Sequence, residues 1–131
     1  MKSTLDNDKP IFQQIKDMIE EDILAGRLKP DDQIPSNSQL VSFYGVNPVT
    51  VHKGVTLLAE SGLVYKKRGL GMFVSPDAPA ALKRRHSAAF REDYAEPLVR
   101  QAAALGLTGA QIHKVIDEVI AETRGKGIRD E

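Results

Sequence analysis

The stretch GVNPVTVHKG, residues 45–54, reads as a helix start set directly after a helix stop. Gly45 suits the end of one helix. Asn47 can accept a hydrogen bond from an unpaired first-turn N–H, and Pro48 at the first helical position gives up a donor that would have no partner there. With Val51 at the origin and about 100° per residue, Val55 and Leu58 fall within roughly 40° of it. Val49 and Lys53 fall nearly opposite, and Thr50 and His52 lie on the flanks. The spacing predicts a helix from Pro48 to about Ser61 whose first turn shows solvent methyl groups, an imidazole and an ammonium.

Upstream, Ser36 and Gln39 form an S-x-x-Q capping box that opens a short helix through QLVSFY. Before it, KPIFQQIKDMIEEDILAGRL (residues 9–28) sets Ile11, Ile15, Met18, Ile19 and Ile23 on one helical stripe, with Gly26 as the stop. Downstream, Gly62 ends the third helix. LVYKK (63–67) and MFVS (72–75) then read as two strands joined by the glycine-bearing turn RGLG. Three short helices and a hairpin in this order describe a winged helix-turn-helix over residues 1–76, in a chain that is mainly α with a small β-hairpin. Recognition helices of this architecture meet the DNA major groove with their first turn, where methyls pack on thymine and Lys reaches guanine or phosphate.

Residues 77–131 are too few for a separate ligand-binding domain of ordinary size and read as a two-helix tail. Asp77 and Pro79 start the first helix, which carries Phe90, Tyr94, Leu98 and Leu105 on one face, and Pro97 should kink or split it. Thr108 caps the second, with Ile112, Val115, Ile116, Val119 and Ile120 forming an amphipathic stripe. Such a face needs a covering surface, either another copy of the chain or its own winged helix. The basic run KRRH (83–86) reads as a solvated helix face or as a second DNA contact.

Composition narrows the classes. The 131 residues are 41% hydrophobic, carry zero formal net charge and contain no cysteine, which excludes disulfides and thiolate metal sites. No apolar run approaches the roughly 18 residues of a membrane span, and the N-terminus lacks a signal-peptide core, so a soluble cytoplasmic protein is expected. The charge is uneven: residues 1–32 hold five basic and eight acidic side chains, whereas residues 45–75 hold Lys53, Lys66, Lys67 and Arg68 against Glu60 alone. A neutral protein with a basic segment can still grip a polyanion. The three histidines are scattered, there is no H-E-x-x-H pair, and RGLGMF lacks the phosphate-loop pattern. An enzyme is disfavoured, and no cofactor or metal is implied. A winged helix serving only protein contacts remains the alternative, although it would have no use for Lys53 and a basic wing.

Taken in order, PIFQQI, ILAGRLKPDDQIPS, GVNPVTVHKG and LAESGLVYKKRGLGMFV make the chain resemble the GntR family of bacterial transcription regulators, and within it the short YtrA-like branch. The match covers residues 10–74 and extends more loosely into the tail. The resemblance implies a homodimeric regulator, a repressor by expectation, on a twofold double-stranded operator. It nominates Ser36, Asn47, Val49, Thr50, His52 and Lys53, with Lys67, Arg68, Gly69 and Gly71 of the wing, as the DNA surface. Ser38 joins them as a departure, standing where Arg is usual. Gly54 replaces the usual Ala at up to about 1 kcal/mol of helix propensity unless a neighbouring helix needs the room. Met72 replaces a common Thr in the wing. Phe90, Tyr94, Leu98, Ile112, Val115, Ile116, Val119 and Ile120 are the expected dimer interface. Whether a small-molecule effector acts on the chain is left open, because no convergent polar set marks a pocket.

Overall fold

The computed structural model describes residues 8–124; the ends of both expected domains, residues 1–7 and 125–131, lie outside the described residues. Three helices come first: α1 (Ile11–Leu24), α2 (Asn37–Tyr44) and α3 (Pro48–Glu60). The hairpin β1 (Val64–Lys67) and β2 (Gly71–Val74) follows, then α4 (Ala78–Phe90), a π-helical turn (Arg91–Ala95), α5 (Glu96–Ala104) and α6 (Gly109–Thr123). The capping box of α2, the Asn47 cap and Pro48 start of α3, and the Thr108 cap of α6 all form as predicted, and Gln111 completes a capping box with Thr108. Gly62 takes a φ of +77°. It ends α3 by donating its N–H to the Ala59 carbonyl at 3.0 Å while Leu63 donates to Leu58, which turns the chain at once into β1.

Ile15, Ile19 and Ile23 from α1 meet Leu40 of α2, Val51 and Leu58 of α3, and Leu63 and Val74 of the hairpin in one buried core. The predicted stripes of α1 and α3 therefore face each other. They approach so closely that a Cβ on Gly54 would stand 2.7 Å from the Phe12 carbonyl oxygen. The room demanded by α1 explains a glycine in mid-helix.

Two features were not anticipated. Residues 31–34, to which the sequence assigns no element, run along β2: Asp31 donates to the Val74 carbonyl, Val74 to that of Asp32, and Ile34 to that of Met72, at 2.8–2.9 Å. Gln33 thereby bridges to Phe73 as an edge segment of the sheet. The segment lies between Pro30 and Pro35 and lacks alternation, so nothing local marks it as a strand. Second, the first compact unit runs to His86 rather than to the expected boundary at residue 76. Ala78 and Leu82 are wholly buried in the core of that unit, so the start of α4 completes the winged helix.

The second unit comprises residues 87–131. Pro97 has no N–H to give the carbonyl four residues earlier, and its ring crowds that carbonyl, so the helix changes geometry just before it. The widened turn at 91–95 is the split that Pro97 predicts, and α5 restarts with Pro97 in its first turn. Gly106 and Leu107 close α5 on the carbonyls of Ala103 and Ala102.

Candidate nucleic-acid interface

The N-terminus of α3 is capped and exposed. Asn47 Oδ1 accepts the Val49 N–H at 2.8 Å, which fixes the first turn and leaves the Val49 side chain 74% exposed. His52 is exposed beside it and Thr50 is half-buried. At the start of α2, Ser36 Oγ accepts the Gln39 N–H at 3.1 Å and Gln39 Oε1 accepts the Ser36 N–H at 2.8 Å. Both caps are thus occupied locally, and Ser38, the second residue of α2, is exposed.

The lysines are less alike than the sequence suggests. Lys53, expected to project from the first turn, lays its ammonium 4.0 Å from the centre of the Phe12 ring on α1. In the hairpin, Val64 pairs with Val74, Tyr65 with Phe73, Lys66 with Met72 and Lys67 with Gly71. Strand alternation then puts Val64, Lys66, Met72 and Val74 toward α3, and Tyr65, Lys67 and Phe73 on the outer face. Lys67 Nζ sits 4.4 Å from the Phe73 ring centre and 5.8 Å from that of Tyr65, and the two rings stack at 6.0 Å. A cation over an aromatic face at an exposed site gains about 0.5–1 kcal/mol, enough to bias where each ammonium rests.

Gln33 is a residue that sequence reasoning missed. Its amide Nε2 donates to the Leu70 carbonyl at 2.7 Å and so spans the turn of the wing. A Cβ on Gly71, whose φ is +120°, would strain the backbone and stand 2.7 Å from that nitrogen, so a side chain here would push the Gln33 amide off the Leu70 carbonyl. The edge segment also supplies Asp31, whose Oδ1 accepts the Tyr65 hydroxyl at 2.7 Å. That hydrogen bond, then desolvation, then the carboxylate charge raise the Tyr65 pKa above 10.0. The wing is therefore held from both faces, with Arg68, Gly69 and Leu70 exposed at its tip.

Between the start of α2, the body of α3 and the inner face of the hairpin lies a cleft of about 770 Å³. It brings together Ser36, His52 and Gly71 from the expected DNA set and adds Thr56, Lys66 and Glu60, over a floor that includes Pro35, Val55 and Met72. Asn47, Val49, Thr50, Lys53, Lys67, Arg68 and Gly69 are not among its lining residues. Of the KRRH run, Arg85 places Nη1 3.4 Å from Glu20 Oε2, and Lys16 reaches the same oxygen at 2.7 Å. Arg85 is thereby committed to an ion pair with α1.

In the second unit, none of the residues of α6 is fully buried. Val115 and Val119 are 47% and 50% exposed, and Ile112, Ile116 and Ile120 are half-buried. Phe90 and Tyr94 pack ring to ring at 5.5 Å while both stay exposed. Tyr94, Leu98, Ile112, Val115 and Ile116 line an apolar cleft of about 460 Å³ between α5 and α6.

Residues 11–74 match the model of the bacterial regulatory proteins of the gntR family. The HTH-type transcriptional repressor YtrA of Bacillus subtilis (strain 168) is 30% identical over 116 residues, which cover 88% of this chain and 88% of YtrA. The chain belongs to the GntR family. The likeness to YtrA therefore runs well past the winged helix-turn-helix and spans most of both chains. A transcriptional regulator of the GntR family from Bacteroides thetaiotaomicron superposes with a TM-score of 0.70 at 31% identity, over 87% of this chain and 99% of that one. The DNA-binding domain of AraR in complex with operator ORX1 matches 57% of this chain and 92% of its own, with a TM-score of 0.50 and 32% identity. This GntR protein is a DNA-binding transcriptional regulator and not an enzyme. No helix among its described residues is long and apolar enough to cross a membrane.

Proposed function

We propose that this GntR regulator is a repressor that binds a twofold operator as a homodimer. In that complex α3 enters the major groove by its first turn, and the wing tip lies on the adjacent backbone or minor groove. The second unit, which begins at residue 87, forms the dimerisation tail by pairing with a second copy. The observation that carries the proposal is α6, a helix of 15 residues with a capped start and an apolar stripe, in which no residue is fully buried. Burying a Val or Ile side chain contributes roughly 1.5–3 kcal/mol, so leaving Val115 and Val119 exposed and Ile112, Ile116 and Ile120 only half covered forgoes a large part of what the helix can offer to folding. A second copy offers the same stripe in self-complementary form, and twofold symmetry suits paired half-sites. The repressor sense is supported by the name of the Bacillus subtilis relative, and the DNA-facing role of α3 by the exposed Val49 and His52 beside the wing.

The test is selection of bound sequences from random DNA followed by footprinting of the winner. Two protected regions about one helical turn apart are expected. Full affinity for a single asymmetric half-site would count against the dimer.

A further inference from the structure

Resting on the DNA-binding role of the winged helix, we infer that the cleft between α3 and the hairpin seats one sugar–phosphate strand of the operator. Lys66 is the cation that neutralises its phosphate, and Lys67 is a prop of the wing rather than a phosphate contact. The two lysines are adjacent in sequence, and the pleat sends them to opposite faces. Lys66 pairs across the ladder with Met72, and both line the cleft. The Lys66 ammonium has no ion pair, hydrogen bond or ring contact among the described residues, so its charge is available to a ligand. Lys67 points the other way and rests on Phe73, 4.4 Å from the ring centre.

The cleft has the chemistry of that occupant. A deoxyribose–phosphate strand is apolar along its sugars and anionic at its oxygens. Val55 and Ala59 of α3 and Met72 of the hairpin supply apolar lining, while Lys66 of the hairpin, Ser36 at the start of α2 and His52 of α3 supply polar groups. Glu60 is the only carboxylate among the lining residues, and phosphate is expected to keep away from it. A strand so placed lies between the helix and the wing tip, where a duplex read by both must pass its backbone.

The experiment measures operator affinity of the full chain across a salt series for the wild type, Lys66→Ala, Lys66→Arg and Lys67→Ala, with thermal unfolding of each. One lost phosphate contact lowers the slope of log K against log salt by about 0.9. Lys66→Ala should show that loss, so that the wild-type advantage shrinks about threefold to fourfold between roughly 50 and 200 mM salt. Lys66→Arg should restore the slope. Lys67→Ala should keep the slope and lower the melting temperature. If Lys66→Ala unfolds, Lys66→Gln is read in its place. A slope lost in Lys67→Ala and kept in Lys66→Ala would overturn the assignment, as would equal losses in both. Failure of the underlying DNA-binding role is told apart, because the wild type itself would then show no salt-dependent binding.

Discussion

Replacing Gly54 by Ala should destabilise the protein even though Ala is the better helix former. Taken alone, the exchange gains about 0.8–1 kcal/mol of helix propensity. Against this, the new Cβ would stand 2.7 Å from the Phe12 carbonyl oxygen, where ordinary contacts begin at 3.4 Å. The obstacle is backbone in the first turn of α1, not the movable end of a side chain. Relief therefore requires α1 and α3 to part across the buried core, where the Ile15 side chain is already in contact with the same point at 3.5 Å. Forcing one extra methyl group into a packed core costs typically 1–3 kcal/mol, which leaves a net loss of about 1 kcal/mol. For a unit of this size that corresponds to a fall in melting temperature of about 4–8 °C. Thermal unfolding followed by circular dichroism, with urea titration as a second measure, would check it. A melting temperature raised by several degrees would refute the reasoning, since it would mean that the helices part freely and the glycine is tolerated rather than required.

On the proposed pairing, Ile116→Asp with Val119→Asp should leave a folded monomer with much weaker operator binding where the unaltered chain sediments as a dimer; a double variant that stays dimeric would send the stripe back to its own chain. Gln33→Ala removes the amide that holds the Leu70 carbonyl and should weaken operator binding several-fold while costing about 1 kcal/mol or less in stability; unchanged affinity would mean the wing turn keeps its shape unaided. Tyr65 favours its protonated form in the folded state, so its contribution is complete below the unfolded phenol pKa of 10.0 and is lost as pH rises through the higher folded value. Tyr65→Phe should therefore make alkaline unfolding less steep above about pH 10, and identical pH profiles for the two proteins would show that the Asp31 contact has no energetic consequence in solution.

The parts of the fold legible in the sequence are those fixed within one turn of chain. Ser36 and Gln39, Asn47 and Pro48, and Thr108 and Gln111 each settle a helix start through neighbours at most three residues away. The stripes of α1 and α3 follow from rotation alone. What could not be read depends on partners far along the chain. Gln33 meets Leu70 across 37 positions, and residues 31–34 become an edge segment only because β2 lies beside them. Leu82 looks like part of a tail helix until the core of the winged helix is seen to lack a lid without it. The lysines show the same division. Their presence in the basic segment is plain, but Phe12 and Phe73 decide where two of the ammonium groups rest, and strand parity alone separates Lys66 from Lys67.

The widened turn before Pro97 has a consequence for the register of the apolar face. In a regular α-helix, side chains four apart drift by about 40° at each step, so Phe90, Tyr94 and Leu98 would fan through about 80°. Bonding to the fifth residue rather than the fourth spreads the same rotation over more residues, and the π-helical turn covers residues 91–95, the interval in which the drift would accumulate. Side chains that would have spiralled away are drawn back into a straighter column, which a flat partner surface can meet along its whole length. A proline that at first looks like damage to the helix thus acts as an angular correction, and replacing it with a residue that lets the turn tighten would twist the column out of line without removing a single apolar group.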